Sequence, residues 1–198
     1  MNTQSNIIIG TQFEEDILVG RINVNGVLQG IILPPKLERQ YPEAIKWNKE
    51  GIKGALSYCD GQANTRDMAE AGSELAKWAL EKGMHIPSQD EMEIIYRACK
   101  PTKDTNYLYN RSGVNVSAVP PTYPYTKESP EQTGLEQFRA GGPEAFDTND
   151  WYWTSTRHAD NATTPGCRPS RTAARATTTW TTSVLPVRSA GLTFNSSI

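Results

Sequence analysis

The chain has 198 residues, a formal net charge of −2 and a hydrophobic share of 37%. That length allows one large domain or a domain with an arm, and the modest apolar share still builds a core without staples. A charge this close to zero gives no global attraction to nucleic acid or to an anionic membrane. Three widely spaced cysteines, Cys59, Cys99 and Cys167, fit neither a disulfide framework nor Cys-x-x-Cys zinc chemistry. Met1 to Gly10 lacks a basic flank and its apolar run is only Ile7-Ile8-Ile9, so it reads as neither signal peptide nor membrane span.

Residues 6–33 read as β structure. Ile7–Ile9, Ile17–Ile22 and Val27–Leu33 are rich in β-branched residues, Asn25-Gly26 is a two-residue hairpin signal, and Pro34-Pro35 ends the unit. Three short strands bury too little to stand alone. Residues 1–40 are therefore expected to form an N-terminal β arm for attachment or oligomerisation, or else to supply strands to the main sheet of residues 41–198. Two helices follow. Thr65 to Lys82 carries Met68, Ala71, Leu75 and Ala79 at helical spacing, with Gly83 as the stop. Ser88 with Glu91 makes a capping box ahead of Met92, Ile94 and Ile95, and Pro101 closes that helix.

Residues 102–149 look like a long irregular insertion, with Pro120-Pro121-Thr122-Tyr123-Pro124-Tyr125 favouring extended backbone. Tyr107, Tyr109, Tyr123 and Tyr125 make it either a recognition loop or a loop that packs on its own domain. Trp151-Tyr152-Trp153-Thr154-Ser155-Thr156 reads as a strand with one aromatic face, one Trp inside and one exposed, and Ser183–Arg188 as a second strand. After Asp160 there is no Asp, Glu or Lys; Thr, Ala, Ser, Pro and four Arg fill the remainder.

Chemistry for catalysis is sparse. The two histidines, His85 and His158, are far apart, and no spacing builds a metal site or a phosphate loop. The expectation is a binder with no catalytic residue, metal or cofactor. Trp and Tyr supply rigid apolar area with a polar tip, and Arg adds a fork of donors. The candidate ligand-binding residues are accordingly Trp153, Arg157, His158, Arg168, Arg171, Arg175 and Trp180.

Three pieces in order carry a family likeness: the helix Ala69–Gly83 leading into Ile86-Pro87-Ser88-Gln89-Asp90-Glu91-Met92, then Trp151–Thr156, then Leu185-Pro186-Val187-Arg188. Over roughly residues 41–190 the chain resembles the C-type-lectin-like domains related to formylglycine-generating enzymes, found in phage tail proteins and in retroelement-diversified variable proteins. The resemblance implies an α+β, C-type-lectin-like fold with a small twisted antiparallel sheet, two helices and long loops. It implies ligand binding between Trp153 and Val187. The expected protein is a bacteriophage virion component at a tail tip or fibre, made in the host cytoplasm. Its partners would be other virion proteins and a bacterial glycan, pilus or outer-membrane protein, with homo-oligomers such as trimers in that setting. Neither nucleic acid nor membrane insertion is expected. A structural tail or capsid accessory protein is the alternative.

One departure stands out: the family continues its Trp-Ser-Thr strand with Ala-Trp-x-x-x-Phe and then Gly, and Ala162–Arg168 lacks those aromatics. Back-translating Thr163 to Thr182 one nucleotide earlier permits the string YAWLQTFENGRKSDDDMDY, which has that shape. The tail 161–198 is therefore expected to be either a diversified segment or out of frame from about Asn161 onward. Sequencing the gene across these codons checks it: the shifted frame should encode that string, and codons that cannot do so overturn the expectation.

Overall fold

A computed structural model describes residues 8–41, 54–106, 113–148, 151–157, 182–184 and 186–191. Strands β1 (Gln12–Phe13), β2 (Asp16–Val24) and β3 (Val27–Leu33) are followed by helices α1 (Gly61–Glu70), α2 (Glu74–Glu81) and α3 (Gln89–Cys99). Strands β4 (Trp151–Trp153), β5 (Thr182–Val184) and β6 (Arg188–Gly191) complete an α+β fold. The main sheet is antiparallel in the order β1-β2-β3-β6, and β4 and β5 form a separate parallel pair.

The hairpin of β2 and β3 turns where the sequence places it. Asn25 and Gly26 both adopt positive φ, 52° and 86°, which the tight connection between right-twisted strands requires. β2 pairs with β3, and β3 pairs in turn with β6 through Gln29↔Gly191 to Ile32↔Arg188. Of the two expectations for the N-terminal residues, these strands thus supply the main sheet. Arg188 fastens the pairing with bonds to Asp16 at 2.6 and 2.7 Å and to Glu38 at 3.0 Å. The expected strand at Ile7–Ile9 is displaced: Ile8 and Ile9 lead into a turn at Gly10, β1 begins at Gln12, and Ile7 lies outside the described residues.

The single helix expected over Thr65–Lys82 is two. Ser73 N–H bonds the Met68 carbonyl at 2.9 Å and Gly72 N–H the Ala69 carbonyl at 3.0 Å, with Gly72 at φ 92°. This double bond pattern around a left-handed residue ends a helix. Ser73 then caps α2 by accepting from Ala76 N–H. The apolar stripe runs on across the break, because Met68, Leu75 and Ala79 all enter one core with Ala55, Met84 and Ile86. A larger core joins Ile17, Ile22, Val24 and Ile31 of the sheet to Met92 and Ile95 of α3, with Phe138 and Val187. Each fully buried aliphatic side chain there contributes about 1.5–3 kcal/mol.

The capping box of α3 forms as read: Ser88 Oγ accepts from Glu91 N–H, and Glu91 Oε2 accepts from Ser88 N–H at 2.6 Å. Glu91 is also fully buried, its Oε1 hydrogen-bonded to His85 Nε2 at 3.0 Å. The backbone of His85 exchanges two hydrogen bonds with Val187, at 2.7 and 2.8 Å. The strand read at Ser183–Arg188 is divided, β5 joining Trp151–Trp153 and β6 joining β3, with buried Pro186 and Val187 between the sheets.

The first residue of α1 closes the same site. A Cβ at Gly61 would lie 2.7 Å from Ser88 N and 2.8 Å from the Ile86 carbonyl, and would collide with Glu91 Oε2. Gly61→Ala should therefore cost about 1–3 kcal/mol by overpacking, read as a lowered urea midpoint. Gly134→Ala, whose Cβ meets open space, should leave that midpoint unchanged.

Candidate recognition surface

The segment after β4 is held by polar contacts that reach three other parts of the chain. Thr154, Ser155 and Thr156 are all buried. Ser155 N–H donates to the Pro87 carbonyl at 2.8 Å, and Asn64 of α1 donates to Ser155 Oγ at 3.3 Å. Thr156 Oγ1 donates to the Ser57 carbonyl at 2.8 Å and accepts from Gln89 N–H at 2.9 Å. Buried polar groups need such partners, since each one left unmet costs about 1–3 kcal/mol. The Thr-Ser-Thr run is therefore an anchor joining residues 54–58, α1 and the start of α3.

Residues 54–58 lie along this anchor. Asn64 takes both backbone groups of Ser57, accepting from its N–H at 3.0 Å and donating to its carbonyl at 2.7 Å. Asp67 accepts from Ala55 N–H at 2.7 Å. Ala55, at φ 54°, turns into the core, and Leu56 and Tyr58 lie outside, 48% and 55% exposed. Arg157 borders them, its N–H donating to the Ala55 carbonyl at 2.7 Å and its Nε to the Gly54 carbonyl at 3.1 Å. Asp90 adjoins from α3, its N–H bonded to the Tyr58 carbonyl at 2.9 Å.

These contacts hold an exposed aliphatic residue, an exposed tyrosine and a guanidinium on one frame, while the Asp90 carboxyl is engaged by Ser117. Of the candidate ligand-binding residues, Trp153 is half-buried against the core of α1 and α2, and Arg157 is half-buried beside Gly54 and Ala55. His158, Arg168, Arg171, Arg175 and Trp180 lie outside the described residues, as do Tyr107, Tyr109 and Cys167. The side chain of Trp151 is likewise outside, so the expected division between the two tryptophans rests on Trp153 alone. Tyr152 packs on the sheet core, edge-on to Phe146 at 5.5 Å. Sequence reasoning overlooked Leu56, Tyr58 and Asp90, and no local pattern announces them, because Ala55-Leu56-Ser57-Tyr58 does not alternate apolar with polar.

The described part of the loop 102–149 contains neither strand nor α-helix beyond a 3-10 turn at Glu136–Phe138. It divides its tyrosines: Tyr125 is buried beneath the Arg97 guanidinium, 4.9 Å from its ring centre, whereas Tyr123 is exposed. Cys99 is wholly buried and burial pushes its thiol far up, so it is chemically quiet. Among the described residues no group of three or more His, Cys, Asp or Glu could hold a metal ion, and no helix is long and apolar enough to cross a membrane. No family model matches the chain, and neither does any curated protein or solved structure.

Burial raises the Asp90 carboxyl from 3.8 to about 6, with Ser117 hydrogen bonding opposing the shift and Glu93 and Glu91 adding to it. The native state thus holds this proton to a higher pH than the unfolded chain does. Its ionisation penalty is absent below about pH 4, grows through the interval and is complete above about pH 6. Asp90→Asn should therefore stabilise the protein at pH 7 to 8, with the gain vanishing below about pH 4. Urea midpoints across pH check it; a gain independent of pH contradicts the assignment.

Proposed function

We propose that the chain is a phage virion protein of a tail tip or fibre that recognises a bacterial surface receptor non-covalently. The observation that carries this reading is the rigid frame that presents Leu56 and Tyr58 beside Arg157. Aromatic and guanidinium groups on preorganised backbone are the usual anchors of recognition, because little side-chain freedom remains to be lost on binding. The ordered motifs Ile86–Met92, Trp151–Thr156 and Leu185–Arg188 support a C-type-lectin-like relationship. His158, Arg168, Arg171, Arg175 and Trp180, which lie outside the described residues, are the further ligand-binding residues of this reading. The receptor would be a glycan, a pilus or an outer-membrane protein, and the protein would act without cofactor or catalysis.

A structural tail or capsid accessory role is the second reading. It is favoured by two exposed apolar residues, Ile8 ahead of β1 and Leu37 after β3, which suit attachment to neighbouring subunits.

Adsorption of labelled full-length protein to a panel of bacterial cells tests the first reading. Cutting the chain after Asn161 is unsuitable, because it removes Val187 and the Arg188 pairs from the sheet. Substitutions at the surface are cleaner: Tyr58→Ala and Arg157→Gln should each weaken adsorption by about tenfold or more, with circular dichroism unchanged. Undiminished adsorption would move the site elsewhere, and normal cell binding with lost particle assembly on gene deletion would favour the accessory role.

A further inference from the structure

Asn25-Gly26 is the only step in the chain at which glycine follows asparagine. An asparagine carboxamide is an electrophile within reach of the next backbone nitrogen, and a glycine there has no side chain to obstruct the approach. The step lies in the turn between β2 and β3, where Asn25 and Gly26 are both exposed to water. A Cβ placed at Gly26 would meet open space, so the turn is uncrowded.

The nucleophile is nevertheless held back. Gly26 N–H donates to Asn23 Oδ1 at 2.8 Å, and positive φ at both turn residues keeps the connection closed. Asn23 is itself fixed. Its backbone N–H donates to the Ser117 carbonyl at 2.7 Å, and Val119 N–H donates to the Arg21 carbonyl at 3.0 Å. Ser117 and Val119 belong to a finger, residues 113–126, with Asn115 and Thr122 paired across its base. To reach Asn25 Cγ, the Gly26 nitrogen must give up its proton and its bond to Asn23 while the turn opens.

The related chemistry is closed off at Asp60-Gly61, the one step where glycine follows aspartate. Gly61 opens α1 and is buried against Ser88, Ile86 and Glu91, so its peptide has no room to rotate. Asp60 Oδ1 is committed as the helix cap, accepting from Ala63 N–H at 2.8 Å. Every other asparagine precedes a residue with a Cβ.

We propose that Asn25 is a site of spontaneous deamidation and that the Asn23 side chain sets its rate. The Gly26 nitrogen attacks Asn25 Cγ, the Cγ–Nδ2 bond breaks, and ammonia leaves carrying the amide proton. A succinimide ring then joins Asn25 to Gly26. Water opens it at Cγ to give an aspartyl residue, or at the Asn25 backbone carbonyl carbon to give an iso-aspartyl one. Water is the sole co-reactant, and nothing is oxidised or reduced.

The two products differ in what they do to the hairpin. The aspartyl form keeps the turn, because Asp-Gly serves a tight hairpin as Asn-Gly does. The iso-aspartyl form puts one further carbon into the main chain between Val24 and Val27, which face each other across β2 and β3. Val24 is buried in the sheet core, so that form loosens the pairing from its closed end. Both forms add a negative charge to a chain of net charge −2. Neither effect depends on the receptor face around Tyr58.

Incubating the full-length chain in mildly alkaline buffer tests this, with the tryptic peptide Ile22–Lys36 followed by mass spectrometry and an iso-aspartyl assay. Conversion should localise to Asn25, run slower than in the urea-unfolded chain, and leave Asp60 unchanged. Asn23→Ala should speed it about fivefold, the rate equivalent of one lost hydrogen bond. Asn23→Asp, which keeps an acceptor for Gly26 N–H, should restore the slow rate. Gly61→Ala, which weakens the fold away from the hairpin, should react as the native chain does. A folded chain that converts as fast as the unfolded one would overturn the proposal. So would Asn23→Ala no faster than native, Asn23→Asp without rescue, or Gly61→Ala accelerated as much as Asn23→Ala.

Discussion

The buried carboxylate of Glu91 is the point at which the separate parts of this fold meet. Taking a carboxylate from water costs several kcal/mol unless its oxygens are filled. Here Oε2 accepts from Ser88 N–H and Oε1 is hydrogen-bonded to His85 Nε2, at the N-terminus of α3, where the helix dipole also favours negative charge. Each partner brings a further element with it. His85 carries the two-way backbone pairing to Val187, and so to β6 and the main sheet. Gly61 brings the start of α1 against the same carboxylate, a contact no side chain at that position would permit. Removing one partner leaves the others facing an unmet charge, so this cluster couples both helical units to the sheet more tightly than its few contacts suggest.

A second consequence concerns how so much irregular chain stays in place. Arg39 is buried with its guanidinium bonded to Glu144 at 2.5 Å and to the Pro34 carbonyl at 2.7 Å. Burial lowers its pKa while Glu144 opposes the shift, so that carboxylate is what keeps the guanidinium's charge supportable there. The pair binds the turn after β3 to residues 144–146, and the guanidinium also lies over Phe146. Lys100 does similar work further along, its Nζ donating to the carbonyls of Asp104 and Pro130 at 2.5 and 3.0 Å. Asn106 bonds the Thr126 and Pro130 carbonyls as well. Loops that lack repeating backbone pairing thus gain their order from long side chains that cap carbonyls.

The sequence announced what local rules control. Asn25-Gly26, the Ser88/Glu91 capping box and the apolar period of α3 each depend on neighbours a few residues away, and each appears as read. The break at Gly72-Ser73 was also written locally, but the apolar stripe from Met68 to Leu75 concealed it, because both short helices bury into one core. Contacts set by long-range topology had no such signature. Nothing near His85 announces Val187 or Glu91 as its partners, and nothing near Thr156 announces Ser57 and Gln89. The same holds for the candidate surface: Trp153 and Arg157 could be nominated from residue chemistry, whereas Leu56 and Tyr58 become visible only when residues 54–58 are laid beside the anchor.

That anchor changes what the aromatic strand means. Read as chemistry, Trp151–Thr156 looks like a display of rings and hydroxyls. In the fold its hydroxyls are internal ties, and two of its rings face cores, Tyr152 toward the sheet and Trp153 toward α1 and α2. Residues so committed contribute to recognition by holding backbone still, which leaves contact to side chains that are exposed and make few internal bonds. Tyr58 and Leu56 meet that description on one face, and Val116 and Tyr123 meet it on the finger. Both sets stand beside a guanidinium, that of Arg157 on the Gly54 carbonyl in the first case and that of Arg97 on the Gly113 and Tyr123 carbonyls in the second. Each guanidinium is engaged by backbone carbonyls, so its contribution is to fix the geometry of the exposed side chains beside it, which lowers what must be ordered when a ligand meets them.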